Sequence, residues 1–247
     1  MTDQRAWRAK IGVPIPSTNT MVQPDFDDLR PDGVTNHISR ITIPNMALKT
    51  DEDFDNLIRI CEAELGGAVD RVMTSEPDLM VIGISSLLVW DGREASDRRR
   101  DEIAERTGLD VTGGSYAVAA ALEKLGHKRI AIISPYPQIA NQHITSFFAD
   151  SGFDVKGFVG LAAASPVKIA DTTPEQLTGA LDEVDSDEVE ALIQFGTNVS
   201  FMRQAAVEEE KRGKPVLAIN PVTYWHALRM LGIEEKIEEC GKTLAGL

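Results

Sequence analysis

Hydrophobic positions along the chain fall into short apolar runs separated by longer stretches of mixed character. Runs too short for a core helix predict strands at 10–15, 36–43, 79–84, 129–133, 154–160, 190–194 and 215–219. Between them apolar residues recur at three- and four-residue steps. The clearest case is 53–74, where Phe54, Leu57, Ile58, Cys61, Leu65, Ala68, Val69 and Val72 form one stripe of a helix. At 173–183 the sequence Thr173-Pro174-Glu175-Gln176 supplies an N-cap, a first-turn proline and a capping-box glutamine. Gly126 marks a helix end that leads into the next strand. Strands that alternate with helices in this way predict an α/β fold with parallel sheets.

The pattern also repeats. A strand runs into "PIPSTNTMVQPDF" near the N-terminus, and from Ile132 the same order returns as "IISPYPQIANQHITSFF". Further on, "LMVIGISS" is answered by "EALIQFGTN", each an apolar strand ending in glycine and small polar residues. The two features lie about 67 residues apart in the first half and about 62 in the second. Two related α/β lobes follow, the first built from 1–113 and 214–247, the second from 114–213. Ligands of parallel sheets bind beyond the carboxyl ends of the strands. Facing lobes would therefore set Pro16–Thr20, Ser85–Ser86, Ser134–Tyr136 and Gly196–Asn198 around one cleft, a preferred place for a small molecule.

Composition narrows the ligand. A net charge of −14 over 247 residues argues against nucleic acid, whose phosphates need clustered Lys and Arg. The basic run Arg98-Arg99-Arg100 is interleaved with Asp97, Asp101, Glu102 and Glu105 and reads as a solvated helix face. No apolar stretch is long enough for a membrane span and the N-terminus lacks a signal-like core, so a cytoplasmic protein is expected. Metal-ligand spacings, phosphate loops and dinucleotide fingerprints are missing, so no metal and no cofactor are expected. Cys61 on its stripe and Cys240 on the last helix read as small buried hydrophobes.

The cleft loops carry Ser17, Asn19, Ser85, Ser86, Tyr136, Thr197 and Asn198, with the backbone of Gly196 among them. Neutral donors of this kind, joined by N–H groups at helix starts, suit a carboxylate or an enolate-like charge developing beside one. Singly, each serves equally well as a helix cap. Their recurrence in both lobes is what argues for a site. Tyr136 can move a proton or polarise a carbonyl, and can equally be a core tyrosine. Asp91, between Trp90 and Gly92, reads as a turn residue or as an acid–base group on a lid. His226 sits among packing residues, and His37, His127 and His143 have no carboxylate pattern to orient them.

These motifs, in this order, resemble the aspartate/glutamate racemase superfamily: the "PSTNT" and "SPY" loops, the "GISS" and "FGTN" strand ends and the terminal "NPVTYWHALR". The branch most similar is that of maleate cis–trans isomerase and arylmalonate decarboxylase. The resemblance implies two flavodoxin-like lobes, no cofactor, a homo-oligomer and a small carboxylate substrate in the cleft. It further implies that Asn19 and Tyr136 contact a substrate carboxylate, and that Ser85, Ser86 and Tyr136 stabilise an enediolate. One departure is large. The two cysteines typical of the superfamily fall at Ile84 and Gly196, and an asparagine used by maleate isomerases falls near Pro166. A serine replaces a thiolate poorly without an adjacent base. Two functions stand from this reading. One is a cofactor-independent enzyme of isomerase, decarboxylase, lyase or hydrolase type, with Tyr136, Ser85 and Asp91 as catalytic candidates. The other is a carboxylate-binding protein without turnover; a sugar or nucleotide binder lacks the aromatic platforms or phosphate loops it would need.

Overall fold

The structure, a computed structural model, describes residues 3–247. Two four-stranded parallel sheets are present with the same strand order. In the first, β1 (Ala9–Pro16), β2 (Val34–Ile41), β3 (Leu79–Ile82) and β4 (Val111–Gly113) lie in the order β2-β1-β3-β4. In the second, β5 (Arg129–Ser134), β6 (Asp154–Gly160), β7 (Ala191–Gln194) and β8 (Val216–Ala218) lie in the order β6-β5-β7-β8. Every pairing is parallel, so each strand needs a crossover and the chain supplies a helix for it.

The helices are α1 (Val22–Asp28), α2 (Asp51–Met73), α3 (Gly92–Thr107), α4 (Gly114–Leu125), α5 (Gln138–Asp150), α6 (Pro174–Val184), α7 (Met202–Arg212), α8 (Ile219–Met230) and α9 (Lys242–Gly246). Helix α2 buries the whole stripe read from its spacing, and a Thr50–Asp53 capping box fixes its start. Helix α6 has the Thr173–Gln176 capping box and first-turn Pro174. Gly126 closes α4 at φ 72°, the left-handed cap that favours glycine. Central strands β1, β3, β5 and β7 are almost wholly buried, as two-sided parallel strands must be. Among the described residues no helix is long and apolar enough to cross a membrane.

Three readings are corrected. Strand β4 went unseen, because Val111-Thr112-Gly113 is too short and too mixed to carry a periodic signal. The return to the first lobe comes later than residue 214: Val216–Ala218 pair with β7, and only α8 packs on β3, β4 and α1. Cys240 precedes α9 rather than lying on it.

Helices α4 and α8 each follow the edge strand of one sheet and pack against each other at the junction of the lobes. Gly114 permits this approach, since a Cβ there would stand 2.5 Å from Cδ1 of Ile219. Gly114→Ala is therefore expected to cost about 1–3 kcal/mol of stability through overpacking, read as a lowered urea midpoint at unchanged slope.

Candidate functional site

The loops at the carboxyl ends of β1, β3, β5 and β7 converge between the lobes. Asn19 caps α1, its Oδ1 accepting from the N–H of Met21 (3.0 Å) and Val22 (2.9 Å). That leaves its Nδ2 free to cross the cleft and donate to Oγ1 of Thr197 at 3.3 Å. The Thr197 hydroxyl in turn donates to the carbonyl of Gly83 at 3.2 Å. Asn198 accepts from the N–H of Thr20 at 2.8 Å, and its Nδ2 donates to the carbonyl of Pro166 at 3.1 Å. Ser85 Oγ and the Tyr136 phenol lie 2.9 Å apart, also across the lobes. One hydroxyl or amide on each loop thus finds its partner on the other lobe.

Beneath these contacts lies a cavity of about 40 Å³ lined on its polar side by Thr18, Asn19, Ser86, Tyr136, Thr197 and Asn198. Ile43, Phe54, Leu57, Ile58, Ile84 and Ile169 supply most of its apolar lining. No charged side chain lines it. The space suits about three waters, close to the volume of a three- or four-carbon acid. Tyr136 is 6% exposed. Burial pushes its phenol pKa up, against the hydrogen bonds of Ser85, Ser86 and the Thr197 N–H that favour the phenolate. The phenol is therefore protonated at neutral pH and acts as a donor.

Several expected site residues stand elsewhere. Ser85 is fully buried and supports Tyr136 from behind without lining the cavity. Ser17 is solvent-exposed and ties β1 to the chain after β2 through its contacts with Ile43. Asp91 lies outside the cavity, in a left-handed turn (φ 65°) before α3. Its N–H meets His143 Nδ1 at 3.3 Å and its carboxylate meets Arg99 at 3.5 Å. Asp91 is therefore exposed, paired with Arg99 and set apart from the cavity lining. None of the four histidines lines the cavity; His226 is held by Thr112 at 2.8 Å. Gly196 also stays out of the lining, and a Cβ on it would stand 2.4 Å from Cδ of Pro135.

Cys61 is the residue whose surroundings spacing could not reveal. It is buried on the stripe of α2, as read, yet the last surface that stripe covers is the cavity itself. Burial pushes its thiol up to about 12, which keeps it protonated and a poor nucleophile. Periodicity reports which face of a helix is covered and says nothing of what covers it.

Two parallel α/β lobes closing on a small pocket of neutral donors define a two-lobed binding fold with an interlobe site. The chain belongs to the arylmalonate decarboxylase family, whose model matches residues 11–244. A maleate isomerase of Alcaligenes faecalis is 23% identical over 251 residues, covering 96% of this chain and 97% of that protein. An arylmalonate decarboxylase of Bordetella bronchiseptica is 31% identical over 135 residues, 52% of this chain and 54% of its own. A Nocardia farcinica maleate cis-trans isomerase mutant, solved with a covalently bound succinylcysteine intermediate, shares the fold with a TM-score of 0.87. It is 20% identical and covers 97% of this chain and 99% of that one.

The steric settings of Ile84 and Gly196 make a direct prediction. Gly196→Cys drives a side chain into Pro135 and is expected to cost about 1–3 kcal/mol. Ile84→Cys leaves a smaller void and should cost about 1–2 kcal/mol while placing a thiol on the cavity wall. Denaturant titration gives both costs, and reaction with a small thiol reagent reads accessibility at position 84.

Proposed function

We propose that the protein is a cofactor-independent enzyme acting on a small carboxylic acid, and that its reaction is decarboxylation of a malonate-type substrate through an enediolate. The observation that carries this reading is a cavity lined by neutral donors and apolar side chains with no charged group among them. One carboxylate of the substrate takes hydrogen bonds from Ser86, Tyr136 and the Thr197 backbone. The other faces the isoleucines, where an ionised carboxylate loses solvation and neutral carbon dioxide does not. The bond from that carboxyl carbon to the central carbon breaks, carbon dioxide leaves, and the electron pair moves into the retained carboxylate as an enediolate. The donor wall stabilises the added charge. A proton then passes to the central carbon from the cavity wall, where Tyr136 and Cys61 both hold one, and solvent restores it. No step requires a thiolate. Thiol addition of the kind a succinylcysteine adduct implies for the Nocardia isomerase finds no ionised sulfur in this cavity.

A carboxylate-binding protein without turnover is the second reading, supported by Ile84 and Gly196 standing at the two thiol positions. One experiment separates them. Malonate, methylmalonate, phenylmalonate and maleate are each incubated with the protein in heavy water and followed by NMR. Decarboxylation with deuterium at the former malonate carbon is expected, methylmalonate outpacing phenylmalonate because the cavity is small. Fumarate from maleate would overturn the decarboxylase in favour of an isomerase. Ligand-induced thermal stabilisation without any product would favour the silent binder. Tyr136→Phe removes the central donor and is expected to lower kcat by about two orders of magnitude, the scale of one lost oxyanion donor.

A further inference from the structure

We propose that Asp25, outside the cavity, is a positioning residue of the site: its carboxylate, through Asn220, holds the main chain of Thr197 where the cavity needs it. The inference rests on reading that cavity as the reaction site.

Thr197 uses every polar atom it has. Its N–H faces the Tyr136 phenol, its hydroxyl links Asn19 to Gly83, and its carbonyl accepts from Asn220 Nδ2 at 3.0 Å. Asn220, 3% exposed in the first turn of α8, donates from the same nitrogen to Oδ2 of Asp25 at 2.7 Å. Asp25 lies on α1, whose start is capped by Asn19. The contacts therefore close a circuit: α1 reaches Thr197 directly through its cap and again through Asp25 and Asn220. A side-chain amide rotates to follow its acceptors, so the strong, charge-assisted bond to Asp25 fixes the plane of the Asn220 amide. That plane sets where the Thr197 carbonyl sits, and with it the direction of the Thr197 N–H.

The charge on Asp25 is exposed to adjustment. Burial raises its carboxyl to about 6, the Asn220 hydrogen bond pulls down, Asp28 on the same helix pushes up, and Arg203 at the start of α7 pulls down. Arg203 is spent largely on Asp28, at 3.6 Å, and on solvent. Cys240, from the C-terminal segment, also senses Asp25 and stays a neutral thiol. The ionised form that orders Asn220 is thus lost as pH falls through about 6. The sign for stability is opposite. A carboxyl raised on folding favours the folded state at low pH and opposes it above its folded pKa. Asp25 is held in a form that costs folding and serves the site.

The test uses the full chain, free of ligand and labelled with nitrogen-15 and carbon-13. The Asn220 side-chain amide and the backbone N–H of Thr197 and Asn198 are followed from about pH 5 to about pH 8 in wild type, Asp25→Asn and Asn220→Ala. In wild type these signals should move together with a midpoint near 6; in Asp25→Asn the movement should vanish while the melting temperature at about pH 8 holds or rises. In Asn220→Ala the Asp25 carboxyl carbon should still titrate, with Thr197 no longer following. No shared midpoint in wild type, or the same midpoint surviving in Asp25→Asn, overturns the proposal. With a turned-over substrate, wild-type kcat should fall on the acid side of about 6. Asp25→Asn should lose that limb and about tenfold in kcat, at nearly constant KM. A lowered melting temperature at about pH 8 with an unchanged kcat–pH profile would mark Asp25 as merely structural. The spectroscopic arm needs no turnover, so failure of the decarboxylase reading and failure of this one give different results.

Discussion

Everything at the interlobe site depends on hydrogen bonds between neutral groups that cross from one lobe to the other. Asn19 to Thr197, Thr20 to Asn198, and Ser85 with Tyr136 are each satisfied only when the lobes are closed. Buried neutral polar groups left unpaired cost about 1–3 kcal/mol each, so closure and polar satisfaction are one event. Asn19, Tyr136, Thr197 and Asn198 also line the cavity. A carboxylate arriving there competes for hydrogens already in use, and the groups must turn only slightly to accept it. The site is preorganised because the fold needs those bonds for its own closure.

The absence of charge on the cavity wall carries further. An enclosed cation would bind substrate carboxylate and product carboxylate alike, which lowers KM without raising kcat. Neutral donors hold a singly charged carboxylate modestly and respond more strongly as charge accumulates in an enediolate. The surface outside works against arrival: at −14 the protein repels anions at long range, an effect salt weakens.

Much of this was legible in the sequence because it is periodic or repeated. The α2 stripe, the capping box of α6 and seven of the eight strands follow from spacing, and the repeated strand-end loops placed Asn19, Ser86, Tyr136, Thr197 and Asn198 at one cleft. What failed was local in a different way. β4 is three residues long and has no period. Ser17 and Asp91 sit in loops of the right composition, but side-chain direction there is set by turn geometry: Ser17 turns to Ile43 and Asp91 adopts a left-handed φ. Asp25 and Asn220 are 195 residues apart and meet only because α8 crosses back to the first lobe. Nothing in the spacing of either residue announces the other.

Pro135 presses against the backbone of Gly196 so closely that no side chain fits between them. In evolutionary terms this is a ratchet. A codon change that put cysteine at 196 would be charged with a steric conflict before any chemistry could reward it, and the conflict clears only if Pro135 yields as well. The two positions must change together, so the β7 strand end accepts no side chain at 196 unless a proline on a neighbouring loop yields with it. Ile84 already carries a side chain on the cavity wall, so the matching strand end of the first lobe accepts substitution without a second change elsewhere.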